Sequence, residues 1–172
     1  PRLSLARQGI QLAKEEGVDF ILTVGGGSVI DSAKCIGYGA ANEGDVWDFY
    51  KHTRSPKACL PVGSVLTNAA AGSETSKGPV ITNEDGWDKK ACDNDLSRPR
   101  FAIMNPELTM TLPPWQTASG CADILMHTME RYFNKGSNMQ ITDAISEALL
   151  RTVMHNAQVL AQQPQAYNAR AE

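Results

Sequence analysis

The stretch "DFILTVGGGSVIDSAK", residues 19–34, decides how the rest of the chain is read. Its first part is a short, nearly all-apolar run, the pattern of a strand buried on both faces. The run passes directly into three glycines, and from Ser28 to about Ala41 the pattern is helical, with Gly37 and Gly39 weakening the helix end. Upstream, Leu3, Ala6, Ile10 and Ala13 share one face of a helix over 3–16, and Gly17 is placed to stop it. Helix, buried strand, glycine turn, helix is the rhythm of a parallel α/β sheet.

Further along, "ACLPVGSVLT" reads as another strand interrupted by Pro61 and Gly63, and "NAAAGSETSKG" as a loop of small residues. "DVWDFYKHTRSPK" before them reads as a short helix and loop. "PVIT", "NEDG" and "WDKKAC" suggest a hairpin with Asp85 and Gly86 in its turn, and "FAIM" a further short strand. The character changes at "LPPWQT", where Pro113 and Pro114 fit a helix start. Helices are predicted over 116–134 and 139–163. Ile141, Ala144, Ile145, Ala148, Leu149 and Val153 make an apolar face on the latter. An α/β part over 1–112 is thus followed by the start of an all-α part over 113–172. Two helices and a polar tail do not enclose a core, so the helical part reads as incomplete.

Bulk properties narrow the function. The 172 residues are 42% hydrophobic and 20% charged, a globular balance. A net charge of −3 argues against nucleic acid or an anionic membrane as main partner. No apolar run approaches the roughly 20 residues that span a bilayer. The first residues have no apolar signal core, and without a Met the chain is expected to start further upstream. Cys35, Cys59, Cys92 and Cys121 are widely spaced, which disfavours a disulfide framework or zinc ribbon. They read as small buried residues in a protein of the reducing cytoplasm.

Three segments carry candidate chemistry. In "TVGGGSVID" the glycines let the backbone turn tightly, and the following helix start presents free N–H groups suited to phosphate. The pattern is neither the common dinucleotide fingerprint, since Ile30 stands where a glycine belongs, nor a P-loop. Ser28 and Asp31 also have capping-box spacing, and a plain βα turn remains the alternative. The small-residue loop offers Thr67, Asn68, Ser73 and Ser76 to a planar ligand, or is simply a tight crossover. Lys89 and Lys90 are within reach of a phosphate or form a solvated pair. In "CADILMHTMERYF", residues 121–133, Asp123 and His127 lie four apart on one helix face, a good spacing for a divalent metal, with Glu130 continuing the face. Two ligands are too few for a catalytic site, and nothing in their spacing nominates His52 or His155.

Taken in order, "ILTVGGGSVIDSAK", "LPVGSVLTNAAAGSE", "RPRFAIMNPELTMTLPPWQTASGCADILMHTMERYF" and "EALLRTVMHNAQVLAQQPQAYNARAE" resemble the iron-dependent (group III) alcohol dehydrogenases, nearest the butanol-dehydrogenase-like branch. "ILTVGGGSVIDSAK" is similar to the family's G-G-G-S-x-x-D-x-x-K element, and "LPVGSVLTNAAAGSE" to its T-x-x-A-x-G-S-E loop. The long stretch from Arg98 to Phe133 resembles its strand, linker and first metal helix, and the last stretch the helix that follows. Each element is weakly specific; all of them in order are highly specific. Asn68 and Ala71 stand where many relatives have threonine.

The resemblance implies a Rossmann-like α/β nucleotide-binding domain, a helical domain and an active cleft between them, both domains being incomplete here. It implies that Gly26, Gly27 and Ser28 hold the pyrophosphate of NAD(P)H, that Asp31 lines the cleft, and that Thr67, Asn68, Ser73, Lys89 and Leu108 lie beside the cofactor. Asp123 and His127 match the first two ligands of a divalent metal, Fe2+ by family habit, with Zn2+ also suited to the donor set. Two further histidine ligands are expected beyond Glu172. The implied reaction is hydride transfer between a primary alcohol or aldehyde and the nicotinamide, in a homodimer. The alternatives are a glycerol-dehydrogenase-like polyol enzyme and a non-catalytic fragment that cannot hold metal alone.

Overall fold

The computed structural model describes residues 1–172, which divide into two compact units: Pro1–Leu66 with Gly72–Met104, and Thr67–Ala71 with Asn105–Glu172. In the first unit α1 (Leu3–Glu15) is followed by β1 (Ile21–Gly25), α2 (Gly27–Ala41), the single-turn α3 (Trp47–Tyr50), β2 (Val62–Leu66), a hairpin of β3 (Val80–Asn83) and β4 (Asp88–Ala91), and β5 (Phe101–Ile103). The expected α/β order is present. Strands β1, β2 and β5 pair in parallel in the order β1-β2-β5, and the hairpin forms a separate antiparallel sheet. Gly17 adopts a φ of +62° just past α1, the left-handed stop that glycine supplies without a Cβ penalty.

The sheet corrects one expectation. β1 is not buried on both faces: Leu22 and Val24 are 57% and 61% exposed. In register, Leu22 lies beside Gly63 and Phe101, and Val24 beside Val65 and Ile103. These two rows form a face that no helix of this unit covers. Thr23 and Ser64 occupy the opposite face, under α2, and are buried. The run is apolar but for Thr23, and that one polar residue lies on the packed side, so the pattern cannot report which side is covered. Gly63 is not a strand breaker. A Cβ there would run into the stacked rings of Phe20 and Phe101, so the glycine makes room for that pair.

Helix α2 is also more regular than its glycines suggested, continuing through Gly37 and Gly39 to Ala41. Both glycines are buried and are points of close approach: Gly37 faces Cys59 and Leu60, and Gly39 faces Ile10 of α1. Beyond α2, α3 delivers Trp47, Phe49 and Tyr50 to a core with Leu3, Ala6, Cys35, Tyr38, Ile81 and Cys92. Trp47 stacks on Tyr50 with ring centroids 5.4 Å apart, and Phe49 meets Tyr38 edge-on. Such large, rigid side chains dominate the burial of a small core.

In the other unit a helical turn at Pro106–Thr109 precedes α4 (Pro114–Tyr132) and α5 (Gln140–Gln162), each within about two residues of its expected bounds. The tail, read only as polar, ends in α6 (Tyr167–Ala171), fixed by Arg170, which bonds to the Pro164 carbonyl and reaches the hydroxyls of Thr109 and Thr117. The apolar face expected on α5 is largely open: Ile141 and Ile145 are 74% and 62% exposed. The side of α5 that packs carries buried Ser146, Val153 and Leu160, spaced two helical turns apart. No helix is long and apolar enough to cross a membrane.

Candidate functional site

The glycine turn is built as a helix start without a side-chain cap. Gly26 is the N-cap of α2 in extended conformation, and no side chain bonds to the first-turn amides. The reading of Ser28 and Asp31 as a capping pair is therefore corrected: Ser28 lies inside the helix with its side chain exposed, and Asp31 turns elsewhere. A 15-residue helix that begins on glycine with its amides uncapped offers an anion both N–H donors and the positive end of the helix dipole.

Asp31 and Lys34, one turn apart on α2, tie down the small-residue loop. Asp31 accepts from the Ser73 hydroxyl (2.5 Å) through one carboxylate oxygen and from the Val80 amide (3.1 Å) through the other. The Lys34 side chain is fully buried, and its Nζ donates to the carbonyls of Ser73 (2.7 Å) and Ser76 (2.8 Å) and lies near both hydroxyls. Burial holds the Lys34 ammonium below the usual lysine range, against the pull of Asp31 and Glu74. The loop comes right up to the turn: a Cβ on Gly27 would lie 3.8 Å from that of Ser73. Gly26, Gly27, Ser28, Asp31 and Ser73 thus form one assembly within the first unit. Lys89 is in the same unit, exposed on β4 opposite Thr82, and no hydrogen bond or ion pair ties it to the turn. Lys90 instead pairs with Asp88 and lies over the Trp47 ring.

The remaining expected residues fall in the helical unit. Asp123 and His127 sit on α4 with Oδ1 and Nε2 3.7 Å apart, both side chains about two-fifths exposed. Glu130 lies 3.7 Å from the other ring nitrogen. No group of three or more His, Cys, Asp or Glu side chains converges in a way that could hold a metal. His52 and His155 are both exposed. Thr67 and Asn68 belong to the segment Thr67–Ala71, which lies against α4 at Gly120: a Cβ there would come 2.5 Å from the Ala69 carbonyl and 3.6 Å from the Asn68 side-chain oxygen. Gly120 is about one turn before Asp123. Leu108 is part of the helical turn at Pro106–Thr109 and is partly exposed.

One residue that positions these groups escaped the sequence reading, and a second, Lys34, entered it only as the last position of the family element. Gly120 had no signal beyond a small residue inside a helix. Lys34 had one: it stands in the middle of the stripe Ile30, Ala33, Gly37, Tyr38 that buries α2, where a lysine must find partners.

Comparison with known proteins matches this arrangement to one group. Residues 1–106, more than half of the chain, match the family model of the iron-containing alcohol dehydrogenases. The chain is 42% identical over 170 residues to the probable NADH-dependent butanol dehydrogenase 1 of Bacillus subtilis, covering 99% of this chain and 44% of that protein. It is 36% identical over 175 residues to the NADPH-dependent aldehyde reductase YqhD of Escherichia coli, covering 99% and 45%. The crystal structure of NADH-dependent butanol dehydrogenase A from Thermotoga maritima superposes with a TM-score of 0.96 at 38% identity, over 99% of this chain and 43% of that one. The chain therefore spans less than half the length of the relatives it matches.

Proposed function

The chain belongs to the iron-containing alcohol dehydrogenase family, and from that premise we propose a metal-dependent oxidoreductase that moves hydride between a primary alcohol or aldehyde and NAD(P)(H). The observation that carries the proposal is the uncapped start of α2 joined to the serine loop. Its residues fit a pyrophosphate. Gly26 and Gly27 keep side chains away from the helix start, the first-turn amides are uncapped, and the Ser73 side chain packs beside Gly27. Gly26, Gly27 and Ser28 bind the phosphates through backbone N–H groups. Asp31 acts mainly by holding Ser73, since the chain itself bonds to both of its oxygens. Thr67, Asn68, Leu108 and Lys89 are assigned to the cofactor by family position alone.

Asp123 and His127 fit a divalent ion as one hard and one borderline donor on a single helix face, a set that suits Fe2+ and also Zn2+. They are two ligands of a site that needs three or four, so the others are assigned to sequence outside these 172 residues. When bound, the nicotinamide supplies the hydride chemistry and the metal supplies polarisation of the substrate oxygen. The part of this chain in that chemistry is to orient the pyrophosphate and to furnish the first two metal donors. The same reading makes the protein a cytoplasmic homodimer.

The test is made on the complete polypeptide: metal analysis, and reduction of butanal and other short aldehydes with NADH and with NADPH. Turnover with a divalent ion at stoichiometric occupancy is expected. Activity confined to polyols, or turnover unaffected by a chelator that empties the site, would refute the proposal.

A further inference from the structure

We infer that Lys34 is a positioning residue for the cofactor: from inside the fold it fixes the serine loop against the start of α2, so that loop and glycine turn form one preformed surface. The inference rests on the nucleotide reading given above. Lys34 makes no hydrogen bond to Gly26, Gly27 or Ser28; it is fully buried and acts through loop residues 73–76.

The chemistry explains why a charged side chain occupies an apolar stripe. Two carbonyls of one loop, Ser73 and Ser76, converge on a single point, with both hydroxyls at 3.2–3.4 Å from the same atom. Only an ammonium carries three N–H donors on one atom at the end of a long unbranched stem. A buried ammonium without such acceptors would be strongly unfavourable, so the loop conformation and the lysine stabilise each other. Asp31 completes the clamp from one turn earlier. Its carboxylate supplies the opposite charge, holds the Ser73 hydroxyl, and secures the far end of the loop at the Val80 amide. Between these anchors the amides of Thr75 and Ser76 turn back onto the Gly72 carbonyl at 3.1 Å each. Ser73, next to Gly27, is therefore gripped from both sides: its hydroxyl by Asp31 and its carbonyl by Lys34.

A loop ordered before the ligand arrives does not have to be ordered at the expense of binding. Releasing it should weaken nucleotide affinity and loosen the loop together, while the rest of the unit stays closed. The test compares wild type with Lys34→Met in the complete polypeptide, reading hydrogen exchange of the amides at 73–80 and NADH and NADPH affinity by fluorescence titration. Loss of bonds to a charged donor predicts about 10- to 100-fold weaker binding, and exchange about ten-fold or more faster at Thr75 and Ser76, with β1 and β2 amides unchanged. The loss is expected in the KM for the nucleotide before it appears in kcat. Should Lys34→Met fail to fold, Asp31→Asn, which keeps the side-chain shape, must show the same paired change to a smaller degree. The inference is overturned if the loop exchanges as in wild type, or if it loosens while affinity stays the same. A wild type that binds neither nucleotide defeats the nucleotide reading itself; a wild type that binds, beside a Lys34→Met that binds equally well, defeats only the clamp.

Discussion

Replacing Gly37 by alanine sets two opposed effects against each other, and the structure says which wins. In a free helix the change would stabilise by about 0.8–1 kcal/mol, because glycine is the poorer helix former. Here the new Cβ would stand 2.8 Å from the Cys59 sulfur, 3.1 Å from the Leu60 carbonyl oxygen and 3.5 Å from the Leu60 nitrogen. Ordinary non-bonded separations are about 3.5–4.0 Å. The sulfur can swing aside, but the Leu60 backbone cannot, because its own N–H donates to the Gly37 carbonyl at 3.1 Å. Relief requires α2 to retreat from the segment leading into β2, stretching that bond. Overpacking of this kind costs about 1–3 kcal/mol, and weakening one buried hydrogen bond about 1 kcal/mol more. Subtracting the helix gain leaves a net loss of about 1–3 kcal/mol. With a urea slope of about 2 kcal/mol per molar, the unfolding midpoint should fall by about 0.5–1.5 M at unchanged slope. A midpoint equal to or above wild type would show that the close approach is not a constraint, and the reasoning would fail.

Four further outcomes are expected. Gly17→Ala has open space on every side but a φ of +62°, so it should lose about 1 kcal/mol through backbone strain alone, read by the same urea titration. Gly27→Val should leave the thermal midpoint nearly unchanged yet weaken NADH binding about ten-fold or more by titration, since the branched side chain would cover the helix start beside Ser73. Burial pushes the thiols of Cys35 and Cys59 up to about 12 and that of Cys92 up to about 11, so iodoacetamide at pH 8 should leave all three unmodified until the chain unfolds; labelling at a free-thiol rate in the native state would contradict it. His127→Ala in the complete polypeptide should lower metal affinity about ten-fold or more, measured by metal analysis after dialysis against a weak chelator.

Most of the architecture was legible because it rests on local signals. The glycine turn between an apolar run and a helix fixed the βα unit, Asp85 and Gly86 fixed the hairpin, and the paired prolines fixed the start of α4. What escaped depends on contacts far apart in sequence. The open face of β1 could not be read because its exposed residues, Leu22 and Val24, are apolar while the packed side carries Thr23. Gly37, Gly39, Gly63 and Gly120 gave no sign of their role, yet each marks a place where another segment approaches too closely for a Cβ. The apolar residues of α5 predicted a helix correctly, but of the face they named only Val153 is buried, because the side that packs is decided by the neighbour and not by the helix. Within the candidate site, residue types and spacing nominated the turn and the metal pair, while Ser28 and Asp31 were given a capping role by a spacing that tertiary contacts overrule.

Asp31 shows why the element G-G-x-x-x-D-x-x-K is more than a phosphate turn followed by a helix. In α2 the positions 27, 31, 34 and 37 advance by three or four residues, so they descend one side of the helix a turn at a time. Gly27 leaves the helix start bare beside Ser73; Asp31 holds the Ser73 hydroxyl; Lys34 holds the loop carbonyls; Gly37 sets how near the helix stands to the segment before β2. The spacing makes these effects dependent on one another. A helix displaced at Gly37 carries Lys34 with it, and a buried ammonium has little tolerance for moving away from its acceptors. Gly37→Ala should therefore weaken nucleotide binding as well as stability, although Gly37 lies nearly three turns from the start of α2, the proposed anion-binding end. The metal pair obeys a different rule. Asp123 and His127 are aligned by α4 alone, and no neighbour in these 172 residues adds a third donor. The turn can be preorganised within its own unit, whereas Asp123 and His127, on the proposed metal reading, need further donors that α4 does not bring to them.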